Sequence, residues 1–99
     1  ARQVKIIDFG LTRRFESDNY IIQSKVGKVG YMPPEAFARK KYDARAADVY
    51  CLGIMLFMML IGAPIYQAPV PQQPAFNYMI NGRLADILKH WKRLRIITV

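Results

Sequence analysis

Gly27-Lys28-Val29-Gly30-Tyr31-Met32-Pro33-Pro34-Glu35 is the stretch on which the reading of this chain turns. Two glycines punctuate a return of the backbone, and a proline pair followed by an acid opens a short helix. Proline suits a first helical turn because its missing N–H would be unpaired there anyway. Upstream, the apolar, partly β-branched run Val4-Lys5-Ile6-Ile7 leads into Asp8-Phe9-Gly10. Downstream, Asp48-Val49-Tyr50-Cys51-Leu52-Gly53 opens a long apolar segment. Each of the three is a weak signal alone. Asp and Gly are common turn residues, and an acid near a helix start is favoured by the helix dipole whatever else it does. The information lies in their order and spacing.

Working outward, Val4–Ile7 reads as a short buried strand and Leu11–Phe15 as a second strand after the Asp-Phe-Gly turn. Glu16–Lys25 is polar and reads as a mobile loop. A short helix is expected over Glu35–Arg39. Asp43 is a good N-cap for a helix from Ala44 to about Ile61, which Gly62-Ala63-Pro64 ends. Ala68–Pro74 is a loop rich in proline and glutamine. Phe76–Met79 and Leu84–Arg95 read as helices broken at Asn81-Gly82. Leu84, Ile87, Leu88 and Trp91 recur at the spacing of one helical face. The expected class is mainly α with a short β-hairpin at the N-terminus. The segment from Val49 to Tyr66 lacks charge and raises the question of a membrane span. Its helical part to Ala63 covers only about 22 Å, short of a ~30 Å hydrocarbon core, so a buried core helix is expected.

The chain has 99 residues, at most one small domain, and 53% of them are hydrophobic. Such a chain would expose apolar faces when isolated. The net charge is +8 from 15 basic and 7 acidic side chains. Basic residues cluster at Arg13-Arg14, at Arg39-Lys40-Lys41 and from Lys89 to Arg95. Charge runs of this kind are usually solvated faces or sockets for acidic partners. No recognised nucleic-acid motif accompanies them, so neither nucleic acid nor membrane is expected as a partner. Cys51 is the single cysteine. It cannot form an internal disulfide, and it suggests a buried small hydrophobe in a reducing, cytoplasmic compartment. The five methionines read as core filler. His90 lies in a basic helix and reads as exposed.

Taken in order, these motifs resemble the C-terminal lobe of a eukaryotic protein kinase of the serine/threonine type. The resemblance runs from about Val4 to about Trp91. It implies a magnesium loop and activation segment over residues 1–35 and C-lobe helices over 36–99, together a partial kinase domain. Asp8, with Phe9 packed inward and Gly10 permitting a sharp turn, is implied as the ligand of the Mg2+ that accompanies ATP. Phosphoryl transfer needs that metal to neutralise phosphate charge. Gly27, Lys28, Val29, Gly30 and Tyr31 are implied as the segment that receives a protein substrate. Glu35 is implied as a buried structural acid paired with an arginine beyond Val99. Asp48 is implied as the acid that organises the catalytic loop. Ser24 is the leading phosphosite candidate, three residues before Gly27, with Ser17, Tyr20 and Thr12 behind it.

Two departures stand out. Pro33 replaces the alanine usual in that triplet, and Lys28 replaces a threonine or serine that ties the substrate loop to the catalytic loop. Gly27 and Tyr31 resemble the serine/threonine branch and not the tyrosine branch. The glycine-rich loop, the nucleotide lysine and the catalytic loop are expected to precede Ala1, and the rest of the C-lobe to follow Val99. The 99 residues alone are therefore expected to be inactive. Two other classes stay open: a pseudokinase or regulatory binding module with this fold, which Lys28 favours and Asp8 opposes, and a basic membrane or nucleic-acid-binding peptide.

Overall fold

The computed structural model describes residues 2–25 and 27–95. The chain is mainly helical with one two-stranded antiparallel sheet. Strand β1 (Ile21–Ile22) pairs with β2 (Tyr42–Asp43), Ile21 opposite Asp43 and Ile22 opposite Tyr42. The helices are α1 (Pro34–Phe37), α2 (Ala44–Ile61), α3 (Pro74–Ile80) and α4 (Leu84–Arg93). A single 3-10 turn over Val29–Tyr31 precedes α1.

The sheet is not built from the stretches read as strands. Val4–Ile7 and Leu11–Phe15 carry no strand, and Val4 is fully exposed. An apolar run becomes a strand only when a neighbour takes its N–H and C=O groups, and no described residue does so here. The strand lies instead inside Glu16–Lys25, the stretch read as a mobile loop. Ser17 Oγ accepts from the Asn19 amide at 3.3 Å, and Asn19 Oδ1 accepts from the Ile21 amide at 3.1 Å. These local bonds turn the chain so that Ile21 and Ile22 meet β2. The Ala44 amide then extends the pairing by donating to the Tyr20 carbonyl at 2.9 Å.

Helix α2 starts and stops where its residues dictate. Asp43 has extended backbone angles, and its carboxylate accepts from the Arg45 amide at 2.8 Å, the bond of an N-cap. Gly62 ends the helix at φ 82°, its amide donating to the Met58 carbonyl at 2.8 Å. Helix α1 ends differently. The Arg39 amide donates to the Ala36 carbonyl at 3.0 Å and the Lys40 amide to the Glu35 carbonyl at 2.9 Å, a Schellman closure. The residue in its left-handed position is Arg39, at φ 59°. Glycine is usual there, and a side chain with a Cβ costs about 1 kcal/mol in that conformation.

The core gathers Ile54 of α2, Ile65 and Tyr66 of the following connection, Ala75 and Phe76 of α3, and Ile87 of α4. Tyr66 meets Phe76 edge-on at 5.3 Å between centroids, and Phe57 meets Trp91 at 6.4 Å. The apolar face read on α4 is the face that packs: Ile87 is buried and Leu84, Leu88 and Trp91 are half-buried.

Helix α2 itself is not the buried core helix expected. Of its residues only Ile54 is fully buried, and Val49, Leu52, Met55, Leu56, Met59 and Leu60 are exposed. Its 18 residues have a mean hydropathy of 1.7, and by length and composition alone they reach the range of membrane-crossing helices. The described residues supply packing partners to one side of α2 and leave the other open. For the same reason Met55 and Met59 are not core filler, whereas Met32 is buried.

Candidate functional site

A cavity of about 590 Å³ lies between the N-terminal segment and the first half of α2. Asp8, Thr12 and Arg13 line it from the segment, Ser24 and Lys28 from the return, and Asp48 and Cys51 from α2. The long helix thus presents Asp48 and Cys51, three apart and so on one face, to residues some forty positions upstream.

Asp8 sits at φ 64°, one of three non-glycine residues with positive φ among the described residues. Aspartate tolerates this left-handed conformation better than most side chains, yet it remains a strained state that tends to mark functional turns. The turn closes through the Thr12 amide, which donates to the Phe9 carbonyl at 3.1 Å. The turn's unusual angles therefore fall on Asp8, not on Gly10 as read from sequence. A Cβ at Gly10 would meet Asp8 Oδ1 at 3.6 Å, an ordinary contact. Phe9 does not pack inward: it is 63% exposed, because no described residue covers that side of the turn.

The remaining residues fall into place around this turn. Gly27 takes φ 95°, a conformation that calls for glycine, and lines the cavity. Lys28 is exposed, and its carbonyl accepts from the Tyr31 amide at 3.1 Å to close the 3-10 turn. Tyr31 borders the cavity and packs against the core, whereas Val29 and Gly30 lie on the turn outside the lining. Glu35 is half-buried in the first turn of α1, with no ion pair among the described residues. It is thus less enclosed than expected. Asp48 is exposed on the cavity wall.

Of the hydroxyls, Ser24 is the one held in the cavity from both sides. Its Oγ accepts from Arg13 Nη2 at 3.4 Å, and its carbonyl accepts from the Tyr42 hydroxyl at 2.8 Å. Burial pushes the Tyr42 hydroxyl above its ordinary ionisation range, so it stays a donor. Thr12 shares the cavity, while Ser17 and Tyr20 lie outside it. Tyr20 is held by Phe15 edge-on at 5.3 Å and by the Arg45 guanidinium 3.9 Å above its ring. Arg13 and Tyr42 are the participants that sequence reading missed. Arg13 was visible only as half of a basic pair, and nothing in its spacing pointed it at Ser24.

No cluster of three or more His, Cys, Asp or Glu side chains exists among the described residues. Asp8 is exposed and without an ion pair among the described residues, and Asp48 is the second carboxylate on the same cavity. That suits Mg2+, which keeps several waters and is commonly held by one or two carboxylates plus substrate phosphates.

The protein kinase domain family matches residues 1–95. The serine/threonine-protein kinase SAPK2 of Oryza sativa subsp. indica is 39% identical over 69 residues, covering 70% of this chain and 20% of that protein. The serine/threonine-protein kinase SRK2J of Arabidopsis thaliana is 34% identical over 91 residues, covering 83% of the chain and 26% of its own length. The SNF-related serine/threonine-protein kinase of Homo sapiens is 38% identical over 64 residues, covering 65% of the chain and 8% of its own length. The chain thus spans about a quarter or less of each of these relatives.

Proposed function

Because the chain belongs to the protein kinase domain family, we propose that it is the part of a protein serine/threonine kinase that carries the metal-binding aspartate and the substrate-receiving segment. The observation that carries this reading is the strained backbone of Asp8 at the mouth of a cavity shared with Lys28, Ser24 and Asp48. The serine/threonine assignment draws on the names of the relatives and on Gly27 and Tyr31.

Mg2+ with ATP would supply the transferable γ-phosphoryl group and neutralise its charge. Asp8 would hold the metal, its position fixed by the closed turn over Phe9–Thr12. Gly27 to Tyr31 would orient the acceptor hydroxyl of a protein substrate, held by the 3-10 turn. Lys28 would bring a cation toward the same cavity. Asp48 would accept from backbone groups packed against the start of α2, and Glu35 would stay structural. Ser24 would be a regulatory site, since a phosphate there would stand beside the Arg13 guanidinium and order the segment. The 99 residues by themselves would not transfer phosphate, since none of these roles is that of the general base that activates the acceptor hydroxyl.

The test uses the full-length protein, ATP, Mg2+ and serine- and threonine-containing peptides. Asp8→Asn should lower transfer about a hundredfold or more while nucleotide binding persists. Transfer that is unaffected by Asp8→Asn would sink the assignment. A pseudokinase is the second reading, and the placement of Lys28 on the cavity favours it. Nucleotide binding with no turnover in the unmodified protein would establish it.

A further inference from the structure

Away from the cavity, Gln23, Lys25 and Arg39 line a small open cleft of about 300 Å³. It lies two residues before Gly27 on one side and just after α1 on the other. We propose that this cleft docks acidic side chains of a protein partner, with Lys25 and Arg39 as the residues that select them. That this partner is the phosphorylated substrate rests on the function proposed above.

Three observations point the same way. The first is backbone strain. Arg39 occupies the left-handed position of the α1 Schellman closure, where glycine would sit unstrained. The backbone therefore does not explain the arginine, and its side chain is what remains to be explained. The second is rigidity. The Gln23 side-chain Nε2 donates to the Arg39 backbone carbonyl at 2.7 Å, tying the two walls together across sixteen positions of sequence. The Lys25 ammonium lies 4.0 Å above the Phe37 ring, which holds the second cation at the rim. The third is charge. The ion pairs among the described residues are Arg45–Asp43 and Arg83–Asp86, so neither cleft cation is neutralised there. The exposed Lys40 and Lys41 follow immediately and add to the field.

The cleft fits peptide carboxylates better than nucleic acid. Binding of single strands uses open aromatic faces for base stacking, and the Phe37 face beside the cleft is covered by Lys25. Two cations in a small recess, Lys25 held over Phe37 and Arg39 on a backbone tied to Gln23, match one or two carboxylates. The guanidinium fork of Arg39 suits bidentate pairing with one of them.

The experiment is fluorescence polarisation on the full-length protein. The probe is a labelled Gly-Ser peptide carrying four consecutive glutamates, and the control carries glutamines instead. The glutamate peptide should bind about tenfold tighter or more, and the preference should shrink as salt rises. Arg39→Gly and Lys25→Ala should each weaken it by about three- to tenfold, as expected for loss of one partly exposed charge contact. Arg39→Gly should do so while leaving the melting temperature equal or higher, which a merely structural role would not allow. Equal affinity for the two peptides, or unchanged binding in both variants, would overturn the proposal. So would a single-stranded oligonucleotide that outcompetes the peptide at equal charge. The two readings fail separately. Absent phosphoryl transfer with selective peptide binding removes only the kinase assignment, and transfer without selective binding removes only the docking cleft.

Discussion

The Cys51 thiol donates to the Tyr31 carbonyl at 3.0 Å, pinning the end of the 3-10 turn to the second turn of α2. A hydroxyl would make this bond more strongly, yet the thiol keeps the Val29–Tyr31 turn and the helix in one unit. Burial, then the nearby Asp48 charge, pushes the thiol above its ordinary ionisation value of 9.0. Since the thiolate is the reactive form, Cys51 should alkylate slowly at neutral pH. Mass spectrometry of the Cys51 peptide after iodoacetamide treatment of the full-length protein should show at least about tenfold slower labelling than in denaturant. Comparable rates with and without denaturant would mean the contact with Tyr31 is not maintained.

The Tyr50 and Tyr66 hydroxyls share a hydrogen bond between α2 and the connection that follows it. Burial raises both above the ordinary tyrosine value of 10.0, and for Tyr66 the shared bond raises it further. A raised folded-state value contributes stability that is fully present below the unfolded value. It is lost as pH climbs from there toward the folded one. Stability should therefore hold to about pH 10 and fall above it. Tyr66→Phe should flatten part of that alkaline loss. At neutral pH it should cost about 1–3 kcal/mol, because the Tyr50 hydroxyl is left half-buried without its partner. Denaturant titrations at neutral and alkaline pH measure both effects.

Phe76 ties three elements together: it is buried in α3, edge-on to Tyr66, in the cluster that includes Ile54 and Ile87. Phe76→Ala in the full-length protein should cost about 3–5 kcal/mol in a urea titration, the usual result of emptying a buried aromatic site. The same substitution at the exposed Leu52 tests a different idea. If the remainder of a longer protein covers the open side of α2, Leu52→Ala should cost about 2–5 kcal/mol there too. A cost near zero would show that the stripe faces water in the complete protein.

Much of this architecture is legible because its signals are local. Asp43 as a cap, Gly62 as a stop, the break at Asn81-Gly82 and the packed face of α4 all depend on neighbours within a turn or two, and each is where the sequence places it. What the sequence hides depends on partners distant along the chain. Val4–Ile7 has strand composition but no described neighbour to pair with. Ile21–Ile22 sits in a polar run and pairs because Asn19 and Ser17 aim it at Tyr42–Asp43. The site divides in the same way. The residue types at Asp8, Gly27 and Asp48 are readable from spacing, whereas the turn of Arg13 toward Ser24 is a tertiary event that no local pattern encodes. Phe9 is the instructive error: an aromatic flanked by Asp and Gly reads as an anchor only if there is a surface to receive it.

Asp43 links helix start, sheet end and charge in one residue, and this makes its acid behaviour specific. Its carboxylate accepts from the Arg45 amide at 2.8 Å and from the Arg45 side chain at 3.3 and 3.0 Å. The side-chain bond to Arg45, then the backbone bond, hold its ionisation below the ordinary value of 3.8. A depressed folded-state value contributes stability that is present above the unfolded value and lost as pH falls through the folded one. The melting temperature should therefore drop as the full-length protein is taken from about pH 5 to about pH 2, with a part of the drop assignable to this residue. Asp43→Asn separates cap from charge. Asparagine still accepts from the Arg45 amide but carries no charge to titrate, so it should preserve helix α2 at neutral pH and lose the Asp43 share of the acid dependence. Asp43→Ala removes both functions and should lower the melting temperature at every pH. Were Asp43→Asn to keep the full acid dependence, the Arg45 pairing would not be what holds this carboxylate ionised.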